Sequence, residues 1–211
     1  MTNLRAAVLA ATDHVAAIVS RDDVVAAWHE QSALAEWEVG GLVAHLASQP
    51  VTVVTLLSAD PVGDPIPLEE HYARSAWVHA SLDDEINVSI RKTSDARAVE
   101  GPEAVLATVS EARRVLPDLL AAQPDGRAVL IPWAGWSLSL DDFLTGRLME
   151  VVVHGEDVAA SVGFTSPALP RGVLDPVLLL LTRLAVTRHG QGAVVSALTR
   201  AERAPRTISA F

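Results

Sequence analysis

Two stretches of this chain are apolar around most of a helical circumference and carry one narrow polar stripe each: "EVGGLVAHLASQPVTVVTLLSA" from Glu38 and "DDFLTGRLMEVVVHGEDVAASVG" from Asp141. At about 100° per residue, the second places Arg147, Glu150, His154, Asp157 and Ser161 within roughly one quarter of its circumference, with its valines elsewhere. The first groups Glu38, His45, Gln49 and Thr52, while Val39, Leu42, Val43, Leu46 and Val53 fill the other sides. Helices with so wide an apolar face have to pack on other helices. The chain is therefore expected to be mainly α.

The stripes admit two readings. Facing water, each is an ordinary solvated surface on which Arg147 and Glu150 make a weak pair. Facing each other inside a bundle, they bring His45, Glu150 and His154 together as three N/O donors with room for water, a set that suits a catalytic divalent metal. The Glu-x-x-x-His spacing supports the second reading, because successive turns present both side chains toward one point. Glycines 40, 41 and 155 add to it, since glycine inside a helix costs about 1 kcal/mol and usually marks close approach. Asp157, one turn beyond His154, can orient that imidazole. His14, His29, His71, His79 and His189 lack a carboxylate at ligand spacing and read as histidines of helix ends, surfaces or satisfied core sites.

The rest of the chain frames these helices. A first helix is expected from about Asn3 to Val19, then a short helical or irregular connection anchored by Trp28 and Trp37. Pro50 predicts a kink in the helix that follows Glu38. Prolines and aspartates between Asp60 and Pro67 break the chain, and a third helical region begins near Leu68 with internal boundaries that the pattern leaves open. "PEAVLATVSEARRVLPDLLAAQ" restarts a helix with proline in its first turn. "RAVLIPWAGWSLSL" is the one strand-like segment and suggests a hairpin or an extended crossover. Ser139 or Asp141 can cap the next helix, Gly163 ends it, and two more helices, "DPVLLLLTRLAVTRHG" and "GAVVSALTRAERA", precede an extended tail. The expected organisation is a bundle over residues 1–165 with a helical extension, 166–211, packed on it as one compact unit.

Composition removes several function classes. The 211 residues are 50% hydrophobic with a formal net charge of -10, which argues against nucleic acid as a partner. There is no cysteine, so disulfides, thiolate nucleophiles and zinc ribbons are excluded, and any thiol chemistry must import its thiol. Asp13 and His14 interrupt the apolar N-terminal run, which reads as a core helix rather than a signal peptide. The most apolar runs, "VTVVTLLSA" and "VLDPVLLLLTRLAV", fall short of the roughly 20 residues of a bilayer span. A cytoplasmic protein without a membrane partner is expected. No phosphate loop, nucleophile elbow or dinucleotide fingerprint is present.

"SALAEWEVGGLVAHLA", then "RLMEVVVHGEDVAASVG" about a hundred residues on, then "HGQGAVVSALTRAERAPRTISAF", together resemble the mycothiol-dependent maleylpyruvate isomerase family of the DinB-like superfamily. The resemblance implies a DinB-like four-helix bundle, here with additional C-terminal helices and a short β element. It also implies a divalent metal, typically zinc, held by His45, Glu150 and His154, with mycothiol or a similar low-molecular-weight thiol as cosubstrate. Asp157 matches an acid common in the family. Glu38 departs from it, standing where threonine or serine would cap the helix. The implied function is a metal-dependent thiol S-transferase or isomerase acting on an electrophilic small molecule, with Arg147 a candidate for a substrate carboxylate. The alternative is a non-catalytic bundle that binds a metal or a small molecule.

Overall fold

The structure, a computed structural model, describes residues 3–211. The side chain of His79, one of the weaker histidine candidates, lies outside the described residues. Four long helices form the core: α1 (Leu4–Val19), α3 (Val39–Leu57), α7 (Pro102–Ala121) and α8 (Leu140–Val162). α1 and α3 each pack on both α7 and α8, which closes the bundle. Around it run α2 (Asp22–Ala26), α4 (Leu68–Arg74), α5 (Ala76–His79), α6 (Glu85–Ala98), β1 (Ala128–Ile131), β2 (Trp136–Ser139), α9 (Arg171–His189) and α10 (Gln191–Thr199). The architecture is the expected one, mainly helical with a small two-stranded sheet. α9 lies against α1 and α8, and α10 against α9.

Local chemistry explains the helix ends. Asn3 caps α1 by accepting from the Ala6 amide at 3.2 Å, and Ser139 caps α8 by accepting from Asp142 at 3.1 Å. Gly163 ends α8 at φ 87, a left-handed conformation that glycine adopts without strain. α3 has no side-chain cap, as the glutamate at position 38 implies. Its first amides are satisfied by the preceding loop instead: Val39 donates to the Glu30 carbonyl at 2.9 Å and Gly40 to that of Trp28 at 2.8 Å. α3 then runs without interruption through Pro50.

The helical region after Leu68, whose internal boundaries the pattern left open, consists of α4, α5 and α6. Two expectations are corrected here. α9 starts at Arg171, a turn before the quoted apolar run, so that Pro176 lies inside it near the start, where few helical hydrogen bonds are lost. Length does not set α3 aside as a membrane span: its 19 residues, with a mean hydropathy of 1.4, are long and apolar enough, though most of them are buried against other helices.

The strand-like segment is an antiparallel hairpin with Ala128 opposite Ser139 and Ile131 opposite Trp136. It fixes the loop before α4, because the Ile66 amide donates to the Ser137 carbonyl at 2.9 Å. α4 and the hairpin thereby meet at one end of the bundle.

Candidate metal centre

The polar stripes of α3 and α8 face each other. His45, Glu150 and His154 keep only 18%, 14% and 18% of their side chains exposed. Their ligand atoms all lie within 4.8 Å of one another. Glu150 Oε2 is 3.5 Å from His45 Nε2 and 3.2 Å from His154 Nε2. The two imidazoles stand edge to face, with centroids 4.8 Å apart.

These distances test the fit to a metal. Around a tetrahedral ion with bonds of roughly 2.0–2.1 Å to nitrogen and oxygen, adjacent ligand atoms stand about 3.3 Å apart. Both measured edges fall close to that value, and the donor set, two neutral-capable imidazoles and a carboxylate, suits zinc and similar divalent ions.

Both imidazoles are held from behind. His154 Nδ1 is 3.0 Å from Asp157 Oδ2, which leaves Nε2 to face the centre. His45 Nδ1 lies 3.4 Å from Ser94 Oγ on α6. The Ser94 hydroxyl donates to the Ile90 carbonyl at 2.9 Å, so it offers His45 only a lone pair and favours the tautomer with Nε2 free. The Trp37 indole packs edge-on against both rings, 5.4 Å from His45 and 6.3 Å from His154. Arg147 Nη1 donates to Gln49 Oε1 at 2.8 Å, and Gln49 Nε2 is 3.4 Å from His45 Nε2. Arg147 is thus oriented by α3 instead of pairing with Glu150 on a wet surface.

The electrostatics follow from burial and pairing. Burial opposes the charge on Glu150, yet the hydrogen bond from His154, the neighbouring His45 and the field of Arg147 hold its carboxyl well below the usual range. Burial also opposes a charged His154, but Asp157 and Glu150 outweigh it and raise the imidazole to about 9. His45 is lowered by burial, with Glu150 only partly opposing. At neutral pH Glu150 is therefore ionised and His154 positive, set between Glu150 and Asp157. A metal at this centre would have to displace the His154 Nε2 proton that faces Glu150.

The stripes end differently. Ser161 Oγ accepts from the Ala33 amide at 2.9 Å, tying α8 to the loop before α3. Glu38 leaves the centre altogether and lies 3.6 Å from the exposed His29. The glycines do not serve approach of the two ligand helices, as their positions suggest. A Cβ at Gly40 would lie 2.7 Å from the Trp28 indole nitrogen, and one at Gly41 would meet Asp95 and Trp37. Gly155 faces His14 of α1, 3.3 Å from where its Cβ would stand. The close contacts made are with aromatic side chains and with the neighbouring helix.

Two of the other histidines are buried. His14 packs on Gly155 with Nε2 buried and unbonded, and burial lowers its pKa. His71 on α4 accepts from Trp136 Nε1 at 3.0 Å through Nδ1. Burial lowers His71 to about 4; the charge of Arg147 adds to this and that of Glu150 opposes it. His71 is therefore neutral with its proton on Nε2. His29 and His189 do sit at the periphery, His189 bonding the Ser209 carbonyl at 2.8 Å. Ser94 has no signal in the sequence, because α6 is polar along its length and Ser94 is its one buried residue.

Among known proteins, the family described as the mycothiol maleylpyruvate isomerase N-terminal domain matches residues 8–159, which span the four core helices and all three candidate ligands. No curated protein and no solved structure gives a significant match. The chain belongs to the mycothiol maleylpyruvate isomerase N-terminal domain family.

Proposed function

We propose that the chain is a divalent-metal-dependent enzyme that activates a low-molecular-weight thiol of the mycothiol type for transfer to, or isomerisation of, an electrophilic small molecule. The observation that carries this reading is the convergence of His45, His154 and Glu150, whose ligand atoms all lie within 4.8 Å of one another, with both histidine–Glu150 edges close to those of a tetrahedral site. Three protein donors leave a coordination position for an exogenous ligand, the arrangement of catalytic rather than structural sites. The absence of cysteine fits, since the sulfur nucleophile would arrive with the cosubstrate.

The residues divide the work. His45, Glu150 and His154 would hold the ion, most simply zinc, and its positive charge would lower the pKa of a thiol brought beside it. Asp157 orients His154 and raises its basicity as a ligand. Ser94 fixes the tautomer of His45. Arg147, with its guanidinium set by Gln49, supplies the positive charge that would bind an anionic group on the electrophile.

The test is to measure metal in protein purified without chelator and then screen thiol conjugation and thiol-dependent isomerisation, with wild type and His154→Ala. Stoichiometric metal and thiol-dependent turnover, both lost in the variant, are expected. Metal without thiol-dependent turnover would make the chain a binding module, and no metal in the wild type would defeat both readings.

A further inference from the structure

α4 packs on α8 one turn before Glu150. Gly146 and Glu150 share a face of α8, and the Tyr72 hydroxyl of α4 stands 3.5 Å from the place a Cβ on Gly146 would take. His71 adjoins Tyr72, with ring centroids 5.1 Å apart, and is only 7% exposed. The charges of Arg147 and Glu150 both reach it.

The geometry locks the His71 imidazole in one state. The Trp136 indole N–H can only donate, and it meets Nδ1 at 3.0 Å. Nδ1 must therefore accept, which leaves the ring proton on Nε2. A second proton would set two N–H groups against each other, so the ring stays neutral. Trp136 is itself fixed, paired with Ile131 in the hairpin and with the Arg74 guanidinium 5.8 Å from its ring.

Among the described residues the Nε2–H of His71 has no partner, although the side chain is more than nine-tenths buried. Arg147 also keeps Nε buried and unbonded while its Nη1 holds Gln49. Buried donors normally find acceptors, and two left open around one segment of α8 suit an oxygen ligand. The two donors suit different oxygens. Arg147 carries a full charge and matches a permanent anion. The hydrogen bond from a neutral imidazole strengthens as charge gathers on its acceptor, so it favours an oxygen that is uncharged at first and anionic in the transition state.

We infer that His71 donates its Nε2–H to the carbonyl oxygen of the electrophile, an α,β-unsaturated carbonyl compound. The inference rests on the thiol-activating reading above. As the thiolate sulfur bonds the β-carbon, the C=C pair moves in to join the α-carbon to the carbonyl carbon, and the carbonyl π pair settles on oxygen as an enolate. His71 keeps its proton and stabilises that oxygen. The thiol proton has gone to solvent, and the α-carbon takes one back from solvent to complete the adduct.

The test has two arms, the first independent of turnover. Long-range imidazole ¹H–¹⁵N spectra of the labelled full chain, with the His71 signals assigned by their loss in His71→Gln, should show a single neutral tautomer protonated at Nε2. Laevulinate, a saturated 4-oxo acid, should shift Nε2 saturably at millimolar concentration, whereas pentanoate, the same acid without the carbonyl, should not. The second arm compares thiol conjugation of cyclohexenone, in which charge moves to a carbonyl oxygen, with that of iodoacetamide, in which it leaves on iodide. His71→Ala should lower kcat for the enone about 10²- to 10³-fold with KM and the iodide reaction within about threefold, and His71→Gln, which restores an N–H, should recover about tenfold or more. Equal shifts with both acids, no shift with either, equal losses for both electrophiles, or no recovery in His71→Gln at unchanged melting temperature and metal content would overturn the inference. If wild type turns over no thiol, the proposed reaction fails, and the laevulinate arm alone decides whether His71 serves a carbonyl oxygen.

Discussion

Metal affinity should depend on pH with the slope of a single proton. In the metal-free centre His154 holds a proton up to about pH 9, while His45 is kept neutral and Glu150 ionised. An ion that binds His154 Nε2 must displace that proton, and no other ligand has one to give near neutrality. At pH 7, two units below the His154 value, the competition costs about 2.7 kcal/mol, or roughly a hundredfold in affinity. The apparent dissociation constant should fall about tenfold per unit from pH 6 to 8 and level off above about 9. Calorimetry in buffers of different ionisation enthalpy reads the proton count directly, and competition with a chelator reads the affinity. One proton released per ion at pH 7 is expected. Release of two would show that His45 is also charged, and an affinity flat between pH 6 and 8 would show that His154 carries no extra proton in that range.

Asp157→Asn removes the first partner that raises His154, so the pH break should move down, while metal affinity above the break weakens by about 10- to 100-fold, read by the same chelator competition. The metal-free protein should lose stability as pH rises. The His154 value is about 9 folded against 6.5 for the free group, so its contribution is complete below 6.5 and disappears through 9. A fall on the order of 2–3 kcal/mol between pH 6.5 and 9.5 in denaturant titrations is expected, and a rise would contradict the charge assignment. Gly41→Ala should lower stability by about 1–3 kcal/mol, since its Cβ would meet Asp95 and the Trp37 indole. Gly192→Ala on α10, with nothing within 4 Å of the new methyl, should instead be neutral or stabilise by up to about 1 kcal/mol in thermal melts.

Each stripe was legible because it rests on local periodicity, while periodicity left both orientations open and the family resemblance pointed to their pairing. An imidazole or carboxylate among valines on a long helix is conspicuous, and α3 and α8 bury residues such as Leu42, Leu46, Phe143 and Leu148 on the faces the pattern assigns to the core. α6 was not resolved, because it is mostly exposed and lacks an apolar period; its contribution to the centre is one hydroxyl. His71 is a core histidine satisfied at Nδ1, one of the readings the sequence allowed, but local pattern could not name its partner Trp136, 65 positions away on a hairpin strand. The glycines were correctly read as marks of close approach but not of what approaches. Trp28 and Trp37 fold back onto the start of α3, and helical periodicity carries no information about a loop that returns.

That loop, residues 27–38, sets more than a helix end. Its carbonyls grip the first amides of α3, and the amide of Ala33 grips Ser161 near the far end of α8. The loop therefore links the start of α3 to the far end of α8, beside the direct packing of the two helices. One residue added or removed between Trp28 and Ala33 would break one of these two grips. Among natural variants of this chain, changes in loop length should fall almost anywhere else before they fall there.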